Sequence, residues 1–261
     1  MIKIKQGRLA SAIGSFDFPG TYGLEGYTDR SKPCVFFGCY CHLPKAPDYK
    51  VLMAHHGLVI VVWTGSDILL IPRDYLNKIK SKNNIKHVAI SGFIAKDLKR
   101  ARIKYARLPL TPIKPKLDPQ PLGDSIYCYL PERNKSQRDF YGGQLIDKLR
   151  RILPKEKFIF THYGKYTRPQ LREIYKKCFI GLRLTKHDGL SNTVMELGAM
   201  GRMCIYNDLV PNAIPWISIP DIAQKIIEEK KFIGQTKTAV AFSTCNFLNV
   251  SDDWLYTNFW K

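Results

Sequence analysis

Strands alternating with helices on both sides of a proline-rich segment predict an α/β protein of two Rossmann-like lobes facing across a cleft. Three observations carry that prediction. Leu58 to Trp63 is a continuous run rich in β-branched residues, suited to a strand buried on both faces. Similar apolar runs recur with helical stretches between them. Pro109, Pro112, Pro115, Pro119 and Pro121 crowd one short stretch, the place for a linker.

The first thirty residues, rich in Gly and aromatics, read as turns and short hairpins. Val35–Phe37 is the next strand, Tyr49 to His56 a short helix, and Leu58 to Trp63 a strand that stops at Thr64-Gly65-Ser66-Asp67. Arg73 to Lys80 reads as a helix, His87 to Ile90 as a strand, Ile94 to Arg102 as a strongly basic helix and Tyr105 to Pro112 as one more short strand. A second series comes after the prolines: strand 126–130, helix 136–153, strand 158–160, helix 168–178, strand 179–184, helix 191–200, strand 203–206 and helix 221–231. The predicted lobes are therefore residues 1–115 and 116–231, with 232–261 a tail docked on the body by residues such as Trp254 and Trp260.

Hydrophobic residues make up 45% of the 261 positions and aromatics 12%, enough to fill a core and too much for a disordered chain. No apolar stretch approaches the ~18 residues that span a bilayer, and no apolar signal segment follows the basic N-terminus, so a soluble, cytoplasmic protein is expected. The seven cysteines are scattered through apolar runs, as reduced, buried thiols would be. Cys39-x-Cys41-His42 hints at a metal, but no second pair stands at zinc-site spacing, so no metal is expected. Charge is uneven: Arg73 to Lys116 holds thirteen Lys/Arg and two Asp, a net +11 of the chain's +19. Two readings stay open, a solvated face or a surface that meets a polyanion such as nucleic acid, an anionic membrane or a phosphorylated glycan.

The most informative stretch runs Gly181-Leu-Arg-Leu-Thr-Lys-His-Asp-Gly-Leu-Ser-Asn-Thr-Val-Met-Glu-Leu-Gly-Ala-Met-Gly-Arg202. It reads as a buried strand, a Gly-containing loop and a helix beginning near Ser191 or Asn192. Such a loop sets backbone N–H groups and a positive helix end where an anion can sit, and Arg183, Lys186 and His187 add charge there. Thr193-x-x-Glu196 is equally the pattern of a capping box, and Asp188 before Gly189 equally a turn residue.

Taken together, the segment resembles the donor-binding motif of GT-B glycosyltransferases, whose retaining members often carry an acidic residue, seven others and then Glu ahead of a small-residue helix. Here that is Asp188-Gly189 through Glu196-Leu-Gly-Ala-Met-Gly201, with Asp in place of the first Glu. The resemblance implies that Glu196 bonds the ribose of a nucleotide sugar, UDP type foremost. It also implies that Asp188 and the loop Gly189, Leu190, Ser191, Asn192 and Thr193 face the transferred sugar. Tyr129-Leu-Pro-Glu-Arg133 resembles the family's phosphate-contacting region, which nominates Arg133 with Lys135 or Arg138 for the diphosphate. The nucleotide sugar is a co-substrate and no other cofactor is implied. Val61 to Asp67 resembles a Gly-x-Asp loop of the acceptor lobe. Gly38, Tyr40, Gly65 and Ser66 are then acceptor-side candidates and Asp67 the candidate base, with His42, His55 and His56 behind it. A purely structural Asp67, capping the segment after its loop, is the alternative.

Negative charge on a departing diphosphate needs neutralising. The chain has basic groups and no Asp-x-Asp metal motif, so metal-independent transfer is expected. In this fold the N-terminal lobe holds the acceptor, and that lobe is the basic one. An acidic acceptor is therefore expected, with Lys99, Arg100 and Arg102 in contact with it. Duplex DNA suits this best, since some viral enzymes of the fold attach sugars to hydroxymethylated cytosine, which requires phosphate contacts and base flipping. A bacteriophage enzyme fits the compact length. The alternatives are a peripheral-membrane enzyme building cell-surface glycan, and a DNA-binding module on a degenerate scaffold. A dinucleotide-dependent oxidoreductase is excluded, because Phe37-Gly38-Cys39-Tyr40 cannot serve as its Gly-rich loop.

Overall fold

The computed structural model describes residues 2–13, 16–41, 48–130, 135–161 and 165–260. It divides into two compact units, the first comprising Met1–Lys114, His187–Leu190 and Leu248–Lys261, the second Pro115–Lys186 and Ser191–Phe247. Among the described residues no helix is long and apolar enough to cross a membrane.

The first unit runs β1 (Gln6–Leu9), α1 (Phe18–Thr21), β2 (Glu25–Gly26), β3 (Cys34–Phe37), α2 (Asp48–Met53), β4 (Val59–Trp63), α3 (Ser66–Leu70), α4 (Arg73–Lys80), β5 (Ile85–Ala89), α5 (Gly92–Arg100) and β6 (Ala106–Arg107). Its sheet has the order β2-β1-β3-β4-β5-β6 and every pairing is parallel. All five residues of β4 are fully buried, as their β-branched run requires. The N-terminal hairpins expected from sequence are absent among the described residues. β1 and β2 are parallel instead, because α1 lies between them and carries the chain back to start β2 in the same direction.

β5 carries a buried histidine. Trp63 Nε1 donates to His87 Nδ1 at 3.2 Å, which requires a neutral ring protonated at Nε2, and burial pushes the His87 pKa down from 6.5 to about 4. The unfolded chain therefore binds the extra proton first. Stability from this residue is complete above pH 6.5 and is lost as pH falls towards 4. Melting curves across that range should show a loss of about 3 kcal/mol that His87→Phe removes.

The second unit runs β7 (Ser125–Tyr129), α6 (Lys135–Phe140), α7 (Gly143–Ile152), β8 (Lys157–Thr161), α8 (Arg168–Lys176), β9 (Cys178–Leu182), α9 (Asn192–Ala199), β10 (Met203–Ile205), β11 (Ala213–Ile214), α10 (Ile219–Lys230) and α11 (Thr238–Phe247). Its parallel sheet has the order β11-β10-β9-β7-β8. The single helix expected over 136–153 is two. Gly142 between them adopts a left-handed conformation (φ +80°), and a Cβ there would lie 2.6 Å from Leu184 Cβ and O.

The small-residue run of α9 also has a packing reason. A Cβ on Gly198 would meet Thr244 Oγ1 at 2.6 Å and Asn212 Cγ at 2.7 Å, so α11 can approach only a glycine. The tail from residue 232 divides. α11 belongs to the second unit, while 248–261 belongs to the first, where Ile4 N donates to Leu255 O at 2.7 Å and Trp254 stands edge-on to Tyr22.

Candidate functional site

In the second sheet the chain leaves β7 for β8 on one side and returns to β9 on the other. The carboxyl ends of β7 and β9 thus form the switch point of the sheet, the position where sheets of this kind hold ligands. Tyr129 ends β7, Arg183 follows β9, and α9 is the next helix after β9. The Arg183 side chain is buried. Its guanidinium lies 4.7 Å from the centre of the Tyr129 ring and 4.5 Å from that of Tyr141. Two aromatic faces thus hold a buried cation in place just after β9.

α9 begins at Asn192, with Ser191 buried as its N-cap and supplying no side-chain cap bond. Thr193 therefore sits inside the helix and the capping-box reading of Thr193 and Glu196 does not hold. Glu196 instead accepts from the Tyr175 hydroxyl on α8 at 3.2 Å. Burial raises the Glu196 pKa, opposed by that hydrogen bond and by the charge of Arg168.

The other donor-side candidates divide. Arg138 Nη2 bonds both carboxylate oxygens of Asp147 at 2.7 and 2.8 Å, which ties it to the α6–α7 junction. Lys135 and Lys186 are exposed, and Arg133 lies outside the described residues, as does His42. His187–Leu190 counts with the first unit. His187 Nε2 lies 2.8 Å from Asp97 Oδ2, and the Asp188 carbonyl accepts from Ser91 Oγ at 3.1 Å. Leu190 is buried, and a Cβ on Gly189 would overlap the Thr64 carbonyl oxygen, so that position needs glycine.

Asp67 is tightly held by its surroundings. Its side chain is fully buried, and its carboxylate accepts the N–H groups of Thr64, Gly65, Ile68 and Cys39 at 2.9 to 3.2 Å. The group ties the β4–α3 loop to the end of β3. Asp67→Asn should therefore cost about 2–3 kcal/mol of stability in a denaturant titration, because its amide turns a donor towards donors. A stable variant with selectively lost turnover would support Asp67 as the base.

Tyr40 is packed in the same knot. Its N–H donates to the buried Asp48 at 3.3 Å, and burial pushes its phenol up to about 12. Gly38 (φ +79°) is needed there, since a Cβ would lie 2.9 Å from the Tyr40 ring. Gly65 is buried with Asp67, while Ser66 is exposed. His55 is buried too, 3.0 Å from the Tyr27 hydroxyl, with its pKa lowered by desolvation.

The basic stretch forms a face. α4 and α5 are successive right-handed crossovers and so cover the same side of the first sheet. Lys80 Nζ on α4 donates to the Ala101 carbonyl after α5 at 3.3 Å. Arg73, Lys78, Lys80, Lys96, Lys99, Arg100, Arg102, Lys104 and Arg107 are exposed. Lys82 is not part of this face: its ammonium bonds the carbonyls of Met53 and His55 after α2. Arg102 has φ +55° and is the one non-glycine residue with positive φ among the described residues. Glycine would adopt that conformation without strain.

Sequence reasoning missed the Tyr129–Arg183–Tyr141 stack, the Tyr175–Glu196 bond and Asp48. Each joins residues far apart in the chain, and no spacing rule signals such contacts.

Two parallel-sheet units of this kind define the GT-B class of fold seen in glycosyltransferases. The S. aureus enzyme TarM, solved with fondaparinux, α-GlcNAc-glycerol and UDP, superposes at a TM-score of 0.55 with 10% identity, covering 87% of this chain and 54% of TarM. The pneumococcal O-GlcNAc transferase GtfA, solved with UDP and GlcNAc, matches at 0.53 and 11%, over 88% of this chain and 56% of GtfA. A UDP-forming α,α-trehalose-phosphate synthase from Burkholderia xenovorans matches at 0.56 and 11%, over 89% and 73%. At these identities the likeness is one of fold, and the chain spans little more than half of TarM and GtfA. No family model matches the chain, and no curated protein does.

Proposed function

We propose that the chain is a glycosyltransferase. It takes a sugar from a nucleoside-diphosphate sugar, UDP type, held by the second unit, and passes it to an anionic acceptor met by the basic face of the first. Hydroxymethylated cytosine in duplex DNA is the acceptor we favour. The observation that carries the reading is Arg183, caged by two tyrosines at the switch point that α9 and Glu196 also border. The bond from the anomeric carbon to the diphosphate breaks, its electron pair leaving on the diphosphate oxygen; the bond to the acceptor oxygen forms, and the acceptor's hydroxyl proton passes to that departing diphosphate oxygen. The departing diphosphate gains negative charge, which Arg183 and the α9 N-terminus oppose without a metal. Two of the structural neighbours were solved with UDP, in keeping with this donor. The Asp188-to-Glu196 pattern supports a retaining outcome, with Asp188 towards the sugar.

A second reading has its own observation. Leu69 and Leu70 are 46% and 51% exposed just before the basic helix α4, the mixture that suits an anionic bilayer and a membrane-borne glycan acceptor. A turnover screen separates the two. A panel of nucleotide sugars is offered with hydroxymethylcytosine DNA, plain DNA and lipid-linked glycans, and products are read by mass spectrometry. A sugar-sized gain on the modified base is expected. Transfer to glycans alone would move the basic face to a membrane, and no turnover with any donor would leave a binding scaffold.

A further inference from the structure

We infer that Tyr175 is a positioning residue that sets Glu196 as the ribose-reading group of the second unit. The inference rests on the donor reading proposed above. Tyr175 is 1% exposed near the end of α8, and its hydroxyl donates to Glu196 Oε2 at 3.2 Å. Its ring stands edge-on to Tyr127 of β7, centroids 5.0 Å apart. The Tyr127 hydroxyl is in turn bonded to Thr161 of β8. Two adjacent strands thus back the phenol that holds the acid.

The chemistry suits a ribose. An ionised carboxylate only accepts hydrogen bonds, so with Tyr175 fixing one oxygen the group keeps a defined rotamer and lone pairs to spare for vicinal hydroxyls, which donate. Burial keeps the Tyr175 phenol protonated, with its pKa raised. Without that hydroxyl, half-buried Glu196 loses both its fixed orientation and a bond that favours its ionised form.

The test compares, by calorimetry on the full chain, whichever of UDP, GDP and ADP binds tightest with its 2′,3′-dideoxy form. Wild type should prefer the ribose form by about tenfold or more, and Glu196→Gln should abolish most of that preference. Tyr175→Phe should cut the preference several-fold, and should have no further effect when Glu196→Gln is already present, because the one acts through the other. A wild-type preference in Tyr175→Phe, or losses that simply add, would overturn the inference while leaving the donor site standing. Equal binding of both nucleotides by wild type and Glu196→Gln alike would instead strike the donor reading. If Tyr175→Phe does not fold, Tyr127→Phe frees the ring behind Tyr175, and a smaller drop in the same ratio is expected; an unchanged ratio there counts against the inference.

Discussion

Arg202→Met should lower the stability of the second unit by at least about 3 kcal/mol, because it orphans buried carbonyls in several places at once. Arg202 is fully buried. Its guanidinium donates to Tyr175 and Cys178 O at 3.2 and 3.3 Å, to Gln120 O at 2.9 Å and to Pro121 and Lys176 O at 2.6 and 3.3 Å, and it also bonds Met200 O. Tyr175 and Lys176 end α8, where the helix dipole is negative and a cation is favoured. Gln120 and Pro121 belong to the segment that leads into β7. One side chain therefore caps a helix and fixes the entry to the sheet. Burial lowers its pKa to about 10, which leaves it charged at neutral pH. A fall of about 10 °C or more is expected in the melting of this unit. A change of only a few degrees would show that water replaces the guanidinium.

On the proposed duplex-DNA acceptor, glutamate at Lys99, Arg100 and Arg102 together should weaken binding by about two orders of magnitude at low salt. It should also flatten the salt dependence by nearly one unit of log–log slope for each phosphate that the face no longer neutralises. All three residues are exposed at the end of α5. Arg100 has only a 3.4 Å pair with Asp97, at 80% exposure, so its loss should matter little to folding. Arg102 is the informative member, since it occupies a strained left-handed position that glycine would fill more comfortably. Glutamine at the same three positions provides a control free of helix-dipole penalties. An unchanged slope would exclude the end of α5 from the DNA surface.

The α/β class, the succession of most strands and helices, the concentration of charge in one stretch and the start of α9 near Ser191 can all be read from the residues in order. These are legible because apolar periodicity, prolines and charge are local properties of neighbouring residues. What individual polar side chains bond emerges only from the folded structure. It surrounded the Asp67 carboxylate with four backbone N–H groups. It paired Arg138 with Asp147 and moved Glu196 from a capping box to Tyr175. It broke the helix at Gly142, whose left-handed backbone beside Leu184, forty-two positions later in the chain, only glycine can adopt. A charged group is committed by whichever partner lies nearest once burial has made an unpaired charge costly, and those partners come from segments that only folding brings together.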